Sequence, residues 1–173
     1  MAEKLHYNIR KARHSRVSRT DKAAVMRILN YYILNNDTIK SEGYPHVIPI
    51  DKYDEFISIS KGYFYVIEVD GVRGYGSLHE MFDENTIRCD IHIENGYTNK
   101  GLGEALLLQL ISDAEKRGLN IIAEIRTEND RSIRFFKKHG FTEHSVKTIF
   151  GHSFTLFFRP CSSLGIPPSK TAS

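Results

Sequence analysis

A single mixed α/β domain is predicted over residues 6–160. Three observations predict it: stretches that alternate apolar and polar residues, two amphipathic stretches each ended by a glycine, and the hairpin signal Asp70-Gly71 between two strand-like runs. The chain of 173 residues, 40% hydrophobic and 26% charged, is large enough for one core and short for two.

The first strand is predicted at residues 6–10, followed by a basic, exposed loop over 11–19. Thr20 is the expected N-cap of a helix that buries the face carrying Ala24, Ile28, Tyr31 and Tyr32. Gly43-Tyr44-Pro45 and Pro49 interrupt the chain, and a short helix over 51–60 turns Tyr53, Phe56 and Ile57 inward before Gly62 closes it. Strands over 63–69 and 72–80 form the hairpin, and Asp83-Glu84-Asn85 is the next turn. Residues 86–94 alternate: Ile87, Cys89, Ile91 and Ile93 point to the core, and Arg88, Asp90, His92 and Glu94 to a wet or functional face.

A long helix over 101–117 carries Leu102, Ala105, Leu106, Leu108, Leu110 and Ile111 and stops at Gly118. A strand over 120–126, a helix over 130–139 stopped by Gly140, and a closing strand pair within 141–158 turning near Gly151-His152 complete the domain. The Ser- and Pro-containing residues 161–173 are expected to be a flexible tail.

Composition excludes several classes. The net charge of +3 gives no global case for nucleic acid, and the basic run from Arg10 to Arg19 lacks interleaved aromatics for stacking on bases. No run approaches a membrane span and no secretory leader is evident, so a cytoplasmic location and no membrane partner are expected. Cys89 and Cys161 form no ligand pattern, and His139 and His144 are isolated, so no metal is expected. The run Phe154-Thr155-Leu156-Phe157-Phe158 fits either a buried strand or a homodimer contact.

Between the strand ending at Glu94 and the helix at Gly101 lies the turn Tyr97-Thr98-Asn99-Lys100-Gly101-Leu102-Gly103. Free N–H groups at a helix start attract anions, the two glycines allow close approach, and Lys100 adds charge at the rim. The spacing is neither a Walker loop nor the dinucleotide fingerprint. Residues 99–103 at the head of a long apolar helix resemble the pyrophosphate loop of GNAT acyl-CoA N-acyltransferases, with Thr98 in place of the usual first residue. The block from Asn129 to Phe141 resembles that family's later motif, and the run from Val72 to Leu78 its third strand.

The resemblance covers residues 7–158 and is nearest to phosphinothricin-acetyltransferase-like members. It implies a mostly antiparallel sheet with a splayed parallel pair, acetyl-CoA as acyl donor, and transfer to the primary amine of a small molecule by direct attack. A peptide or protein amine is the alternative acceptor, and a CoA-binding module with little activity the alternative class. It implies cofactor contacts from Ile91, His92 and Ile93 on the strand, with the Ile93 N–H as oxyanion donor. Further contacts fall to Thr98, Asn99, Lys100, Gly101, Leu102, Gly103 and Glu104 at the turn, and to Asn129, Ser132 and Phe136 on the second helix.

The strand face offers Asp90, His92 and Glu94 as general bases and the end of the preceding strand Glu80 and His79, with Asp90 and Glu80 the first choices. Arg88 stands where the phosphinothricin branch tends to carry a glutamate, and Asp90 is on the same strand face. Phe136 stands where many members have a proton-donating tyrosine, which leaves Tyr97 or water for the departing thiolate. Asn129 reads equally as a helix N-cap, and Tyr97 as a loop aromatic.

Overall fold

A computed structural model describes residues 5–12, 19–35, 47–60, 63–81 and 83–162. The alternating stretches form β1 (Asn8–Lys11), β2 (Phe64–Glu68), β3 (Val72–Glu80), β4 (Thr86–Ile93), β5 (Asn120–Arg126), β6 (Thr142–Ile149) and β7 (His152–Arg159). The helices are α1 (Arg19–Leu34), α2 (Tyr53–Ser58), α3 (Leu102–Lys116) and α4 (Asp130–Lys138), with a short 3-10 turn at Ile50–Lys52. One seven-stranded sheet results, in the order β1-β2-β3-β4-β5-β7-β6. All neighbours are antiparallel except β4 and β5, which α3 joins as a crossover helix.

The parallel pairing is short. Thr86 pairs with Asn120, Ile87 with Ile121 and Arg88 with Ile122, and no later rung pairs β4 with β5. Beyond Arg88 the two strands part. On the other side β4 stays paired with β3 up to Ile93, opposite Gly74. The Glu94 N–H donates to the Arg73 carbonyl at 2.7 Å, which makes Arg73/Glu94 a hydrogen-bonded pair and sets the phase of the ladder. Tyr75/His92 and Ser77/Asp90 are then hydrogen-bonded pairs, while Gly74/Ile93 and Gly76/Ile91 are not. The backbone groups of Ile91 and Ile93 therefore point away from β3, into the gap left by β5. Gly74 is required by close packing: a Cβ there would lie 2.6 Å from Ile93 Cδ1 and 2.9 Å from the His92 carbonyl.

Both sheet faces are covered. On one, Leu106, Leu107, Leu110 and Ala114 of α3 are fully buried against Ile87, Cys89, Ile93, Ile121 and Phe157, and α4 adds Phe136. On the other, Val25, Ile28, Leu29 and Tyr32 of α1 and Tyr53, Phe56 and Ile57 of α2 pack on Phe64, Val66 and Tyr75. Each such aliphatic or aromatic side chain contributes about 1.5–3 kcal/mol on burial. Burial also pushes the Cys89 thiol up, out of the reactive range.

Several expectations change. The Arg88, Asp90, His92 and Glu94 face is not wet, because α1 covers part of it and His92 is only 9% exposed. Tyr31 lies outside the buried face of α1, and on α3 Leu107 is buried where Leu108 is exposed. Arg10 is paired with Asp21 at 2.5 Å and Glu68 at 2.9 Å rather than solvated. Cys161 is packed rather than part of a tail, with its N–H on Asn120 Oδ1 at 3.0 Å. The basic residues 13–18, the breaker Gly43-Tyr44-Pro45, Gly62 and the tail residues 163–173 lie outside the described residues.

Candidate active site in the splay

The loop between β4 and α3 turns on left-handed residues. Asn99 has φ 60 and Gly101, the N-cap of α3, has φ 82. Only glycine adopts that conformation without strain, and Gly101 offers no side chain to cap the helix. The Ala105 N–H closes the first turn on the Gly101 carbonyl at 3.0 Å. The N–H groups of Leu102, Gly103 and Glu104 then have no intrahelical acceptor and carry the positive end of the helix dipole.

A cavity of about 510 Å³ opens where β4 and β5 part. It is lined by Ile91, His92 and Ile93 of β4, by Thr98, Asn99 and Gly101 of the loop, and by Gly103 and Glu104 of α3. Asn129, Ser132 and Phe136 close it from α4. Eleven of the residues expected from sequence to contact a cofactor are thus brought together. The peptide groups of His92 are turned to β3. The His92 ring stacks on Tyr75 at 5.0 Å and meets the edge of Tyr32. Leu102 is core, at 1% exposure, and Lys100 lies over the Tyr97 ring at 4.8 Å outside the lining.

The lining also includes Lys138 and, unplaced by sequence reasoning, Tyr32, Arg131, Arg134, Phe135 and His139. A signal existed. Arg131, Arg134 and Lys138 recur three and four apart on α4, which gathers their charges on one helix face. Tyr32 had none, since it arrives from α1 through the tertiary fold; its hydroxyl donates to the Ile93 carbonyl at 2.5 Å. Asn129 is the N-cap of α4, accepting the Ser132 N–H at 3.1 Å. His139 Nε2, at 2.9 Å, and Lys138, at 3.1 Å, hold the Glu104 carboxyl below the usual carboxylate range.

The three proton-transfer candidates lie outside this lining and apart from one another. Glu80 pairs in register with Ile87, about 20 Å along the strand from Ile93, and is 3.6 Å from Arg117. The Tyr97 hydroxyl bonds Asp70 at 3.2 Å, and the Arg73 guanidinium lies 4.6 Å from its ring. That ties Tyr97 to the β2–β3 turn. Asp90 is next to the cavity in the chain, with its side chain 18% exposed. His79 Nε2 lies 2.9 Å from Asp90 Oδ2 and 2.8 Å from Ser77 Oγ. Arg88 lies 3.6 Å from Asp90 and 3.7 Å from Glu124 of β5, and Lys147 of β6 bonds Glu124. A row of alternating charge thus crosses the sheet from β4 to β6. A second depression of about 410 Å³, at the β1–β2 edge, offers the carboxylate Glu68, already paired with Arg10.

Comparison with known proteins agrees with the fold. The model of the acetyltransferase (GNAT) family matches residues 33–141. The [ribosomal protein bS18]-alanine N-acetyltransferase of Escherichia coli K12 is 35% identical over 85 residues, covering 49% of this chain and only 57% of that protein. The L-methionine sulfoximine/L-methionine sulfone acetyltransferase of Salmonella typhimurium is 29% identical over 133 residues, 72% of this chain and 76% of that protein. A Salmonella typhimurium acetyltransferase structure, solved with its cofactor acetyl-CoA, superposes with a TM-score of 0.77 at 25% identity, covering 95% of this chain and 99% of that one. With the family model spanning well over half of its length, the chain belongs to the acetyltransferase (GNAT) family.

Proposed function

We propose that this chain transfers the acetyl group of acetyl-CoA to the primary amine of a small molecule, by direct attack with both substrates bound. The observation that carries the reading is the splay: the backbone groups of Ile91 and Ile93 face a cavity whose far end is the uncapped start of α3. The residues fit acetyl-CoA. The first-turn N–H groups of α3 and the cations Arg131, Arg134 and Lys138 suit its phosphates, and the apolar walls Ile91 and Phe136 suit its pantetheine arm.

In this reading the Ile93 N–H donates to the thioester oxygen as it gains charge, an interaction whose loss costs about 3 kcal/mol of barrier. The Tyr32 hydroxyl, bonded to the Ile93 carbonyl, fixes the following peptide, Ile93–Glu94, and with it the course of the strand beside that N–H. Asp90 takes the proton of the attacking amine. Glu80 is too remote and Tyr97 is engaged by Asp70. Phe136 brings no proton, so the thiolate is protonated by solvent, which its fair leaving-group character allows.

The Salmonella relative, whose acceptors are L-methionine sulfoximine and L-methionine sulfone, supports a small amine bearing a carboxylate. The bS18-alanine relative favours a second reading, a peptide N-terminus. A thiol-release assay with acetyl-CoA decides: turnover with L-methionine sulfone and none with an alanine-initiated peptide supports the first, and the reverse pattern the second. Titration calorimetry with acetyl-CoA comes before both, and absence of binding would end either reading.

A further inference from the structure

We propose that Arg73 is a positioning residue for the coenzyme loop: together with Asp70 it clamps the ring and hydroxyl of Tyr97, and so presets residues 98–101 for acetyl-CoA. The inference rests on the reading of that loop as part of the acetyl-CoA site, and one arm of its test needs no coenzyme.

The loop does little to hold itself. Gly96, Asn99 and Gly101 are left-handed, with φ 90, 60 and 82, and Asn95, Gly96, Asn99 and Lys100 are exposed. Among the described residues, the backbone hydrogen bond made by residues 95–100 is that of the Tyr97 N–H to the Glu94 carbonyl, at 2.9 Å. The side-chain hydrogen bonds that leave this stretch for other elements come from the Tyr97 hydroxyl, which donates to Asp70 Oδ1 at 3.2 Å and Oδ2 at 3.3 Å. The Tyr97 ring lies half-buried beside the core under α3. One aromatic residue thus ties the loop to the rest of the fold, and whatever holds that residue sets the course of the loop.

Arg73 is what holds it. On β2 Ile67 pairs with Gly74 and Glu68 with Val72, which leaves Arg73 as the extra residue of a β-bulge, a device that re-aims a side chain. Its guanidinium serves three groups at once. Nε donates to Asp70 Oδ1 at 2.7 Å, Nη1 donates to Glu94 Oε2 at 2.7 Å, and the central carbon lies 4.6 Å from the centre of the Tyr97 ring. Arg73, Asp70 and Tyr97 therefore close a ring of mutual contacts, in which the planar fork of arginine both donates and stacks. The hydrogen bond from Arg73 holds the Asp70 carboxyl below the usual carboxylate range, so it stays an acceptor for the Tyr97 hydroxyl. Lys100 Nζ stands 4.8 Å from the same ring, so the clamp also places the cation of the loop. Glu94 keeps a second partner, Arg27 of α1 at 2.7 Å, when Arg73 is removed. A loop released from this clamp must be ordered when acetyl-CoA binds, and that ordering costs affinity.

The test is a double-mutant cycle on the dissociation constant of acetyl-CoA, measured by titration calorimetry for the wild type, Arg73→Leu, Tyr97→Leu and the double variant. Each single change should weaken binding roughly 5- to 10-fold, and the double variant should lie within about twofold of either single one. An unaltered dissociation constant in either single variant, or effects that multiply in the double one, overturns the proposal. Arg27→Leu, which removes the other partner of Glu94, should leave binding unchanged; an equal loss there would route the effect through Glu94 and overturn the clamp. In kinetics with L-methionine sulfone, Arg73→Leu should raise KM for acetyl-CoA by the calorimetric factor while KM for the amine holds, and a fall in kcat with KM for acetyl-CoA unmoved counts against it. If Arg73→Leu does not fold, Asp70→Asn, at an exposed position, takes its place with the same expectation. The arm without coenzyme is amide solvent exchange by NMR: residues 98–101 should exchange faster in Arg73→Leu than in the wild type, and equal rates reject Arg73 as their holder. Wild-type protein that does not bind acetyl-CoA would end the functional reading, and the exchange arm would still decide whether Arg73 holds the loop.

Discussion

The cavity in the splay and the charged row beside it are made of different materials. The cavity presents backbone along its β4–α3 side, where the Ile91 and Ile93 peptides, the first turn of α3 and a loop whose course depends on the left-handed Gly101 face the side chains of α4. The row presents side chains: His79, Asp90, Arg88, Glu124 and Lys147, contributed by four strands. A site of backbone groups binds whatever matches their spacing and tolerates side-chain change; a site of side chains depends on each one. Substitutions should therefore separate the two, with binding lost on one side and turnover on the other.

The largest effect expected is on the side-chain region. Asp90→Asn should lower kcat by about 10²- to 10⁴-fold while leaving acetyl-CoA affinity intact, as steady-state kinetics and calorimetry would show. Full activity would break the comparison there. Next comes the backbone region: Gly101→Val places a β-branched residue at φ 82, a cost of about 1–2 kcal/mol, and should weaken acetyl-CoA roughly 5- to 30-fold. An unaltered dissociation constant would mean that the α3 start does not hold the cofactor. Arg134→Ala should weaken acetyl-CoA by a smaller factor, corresponding to about 1 kcal/mol, and the difference from wild type should shrink as salt is raised. The smallest effect belongs to Phe136→Tyr. Restoring a hydroxyl should raise kcat by less than about tenfold, because a thiolate that leaves readily gains little from an acid.

The same contrast explains what could be read from sequence. The start of α3, its glycines and its stop at Gly118 are local patterns, and they place Thr98, Asn99, Gly101, Gly103 and Glu104 at one turn. The strand alternation likewise placed Asp90 and Arg88 on one face. The partners of Asp90 were not legible, because the meeting of His79, Ser77 and Asp90 depends on the cross-strand register, which no local pattern states. The direction of Tyr97 was not legible for a related reason. Its spacing in the loop suits a proton donor, but its direction is set by Asp70 and Arg73, on a hairpin some 25 residues earlier. Arg131 and Arg134 were legible in the helical period of α4 and were passed over because charged helix faces usually serve only solvent.

The pairing of β4 with β5 stops at Arg88 and Ile122, which leaves the sheet unfinished at its centre. A ligand that accepts from and donates to Ile91 and Ile93 would supply the missing rung, so that part of the folded state's stability belongs to the ligand and grows with its concentration as RT ln(1 + [L]/Kd). The lifetime of the protein then becomes a reading of the acetyl-CoA around it: well supplied, the chain is a complete sheet that resists proteolysis, and when starved it has a seam.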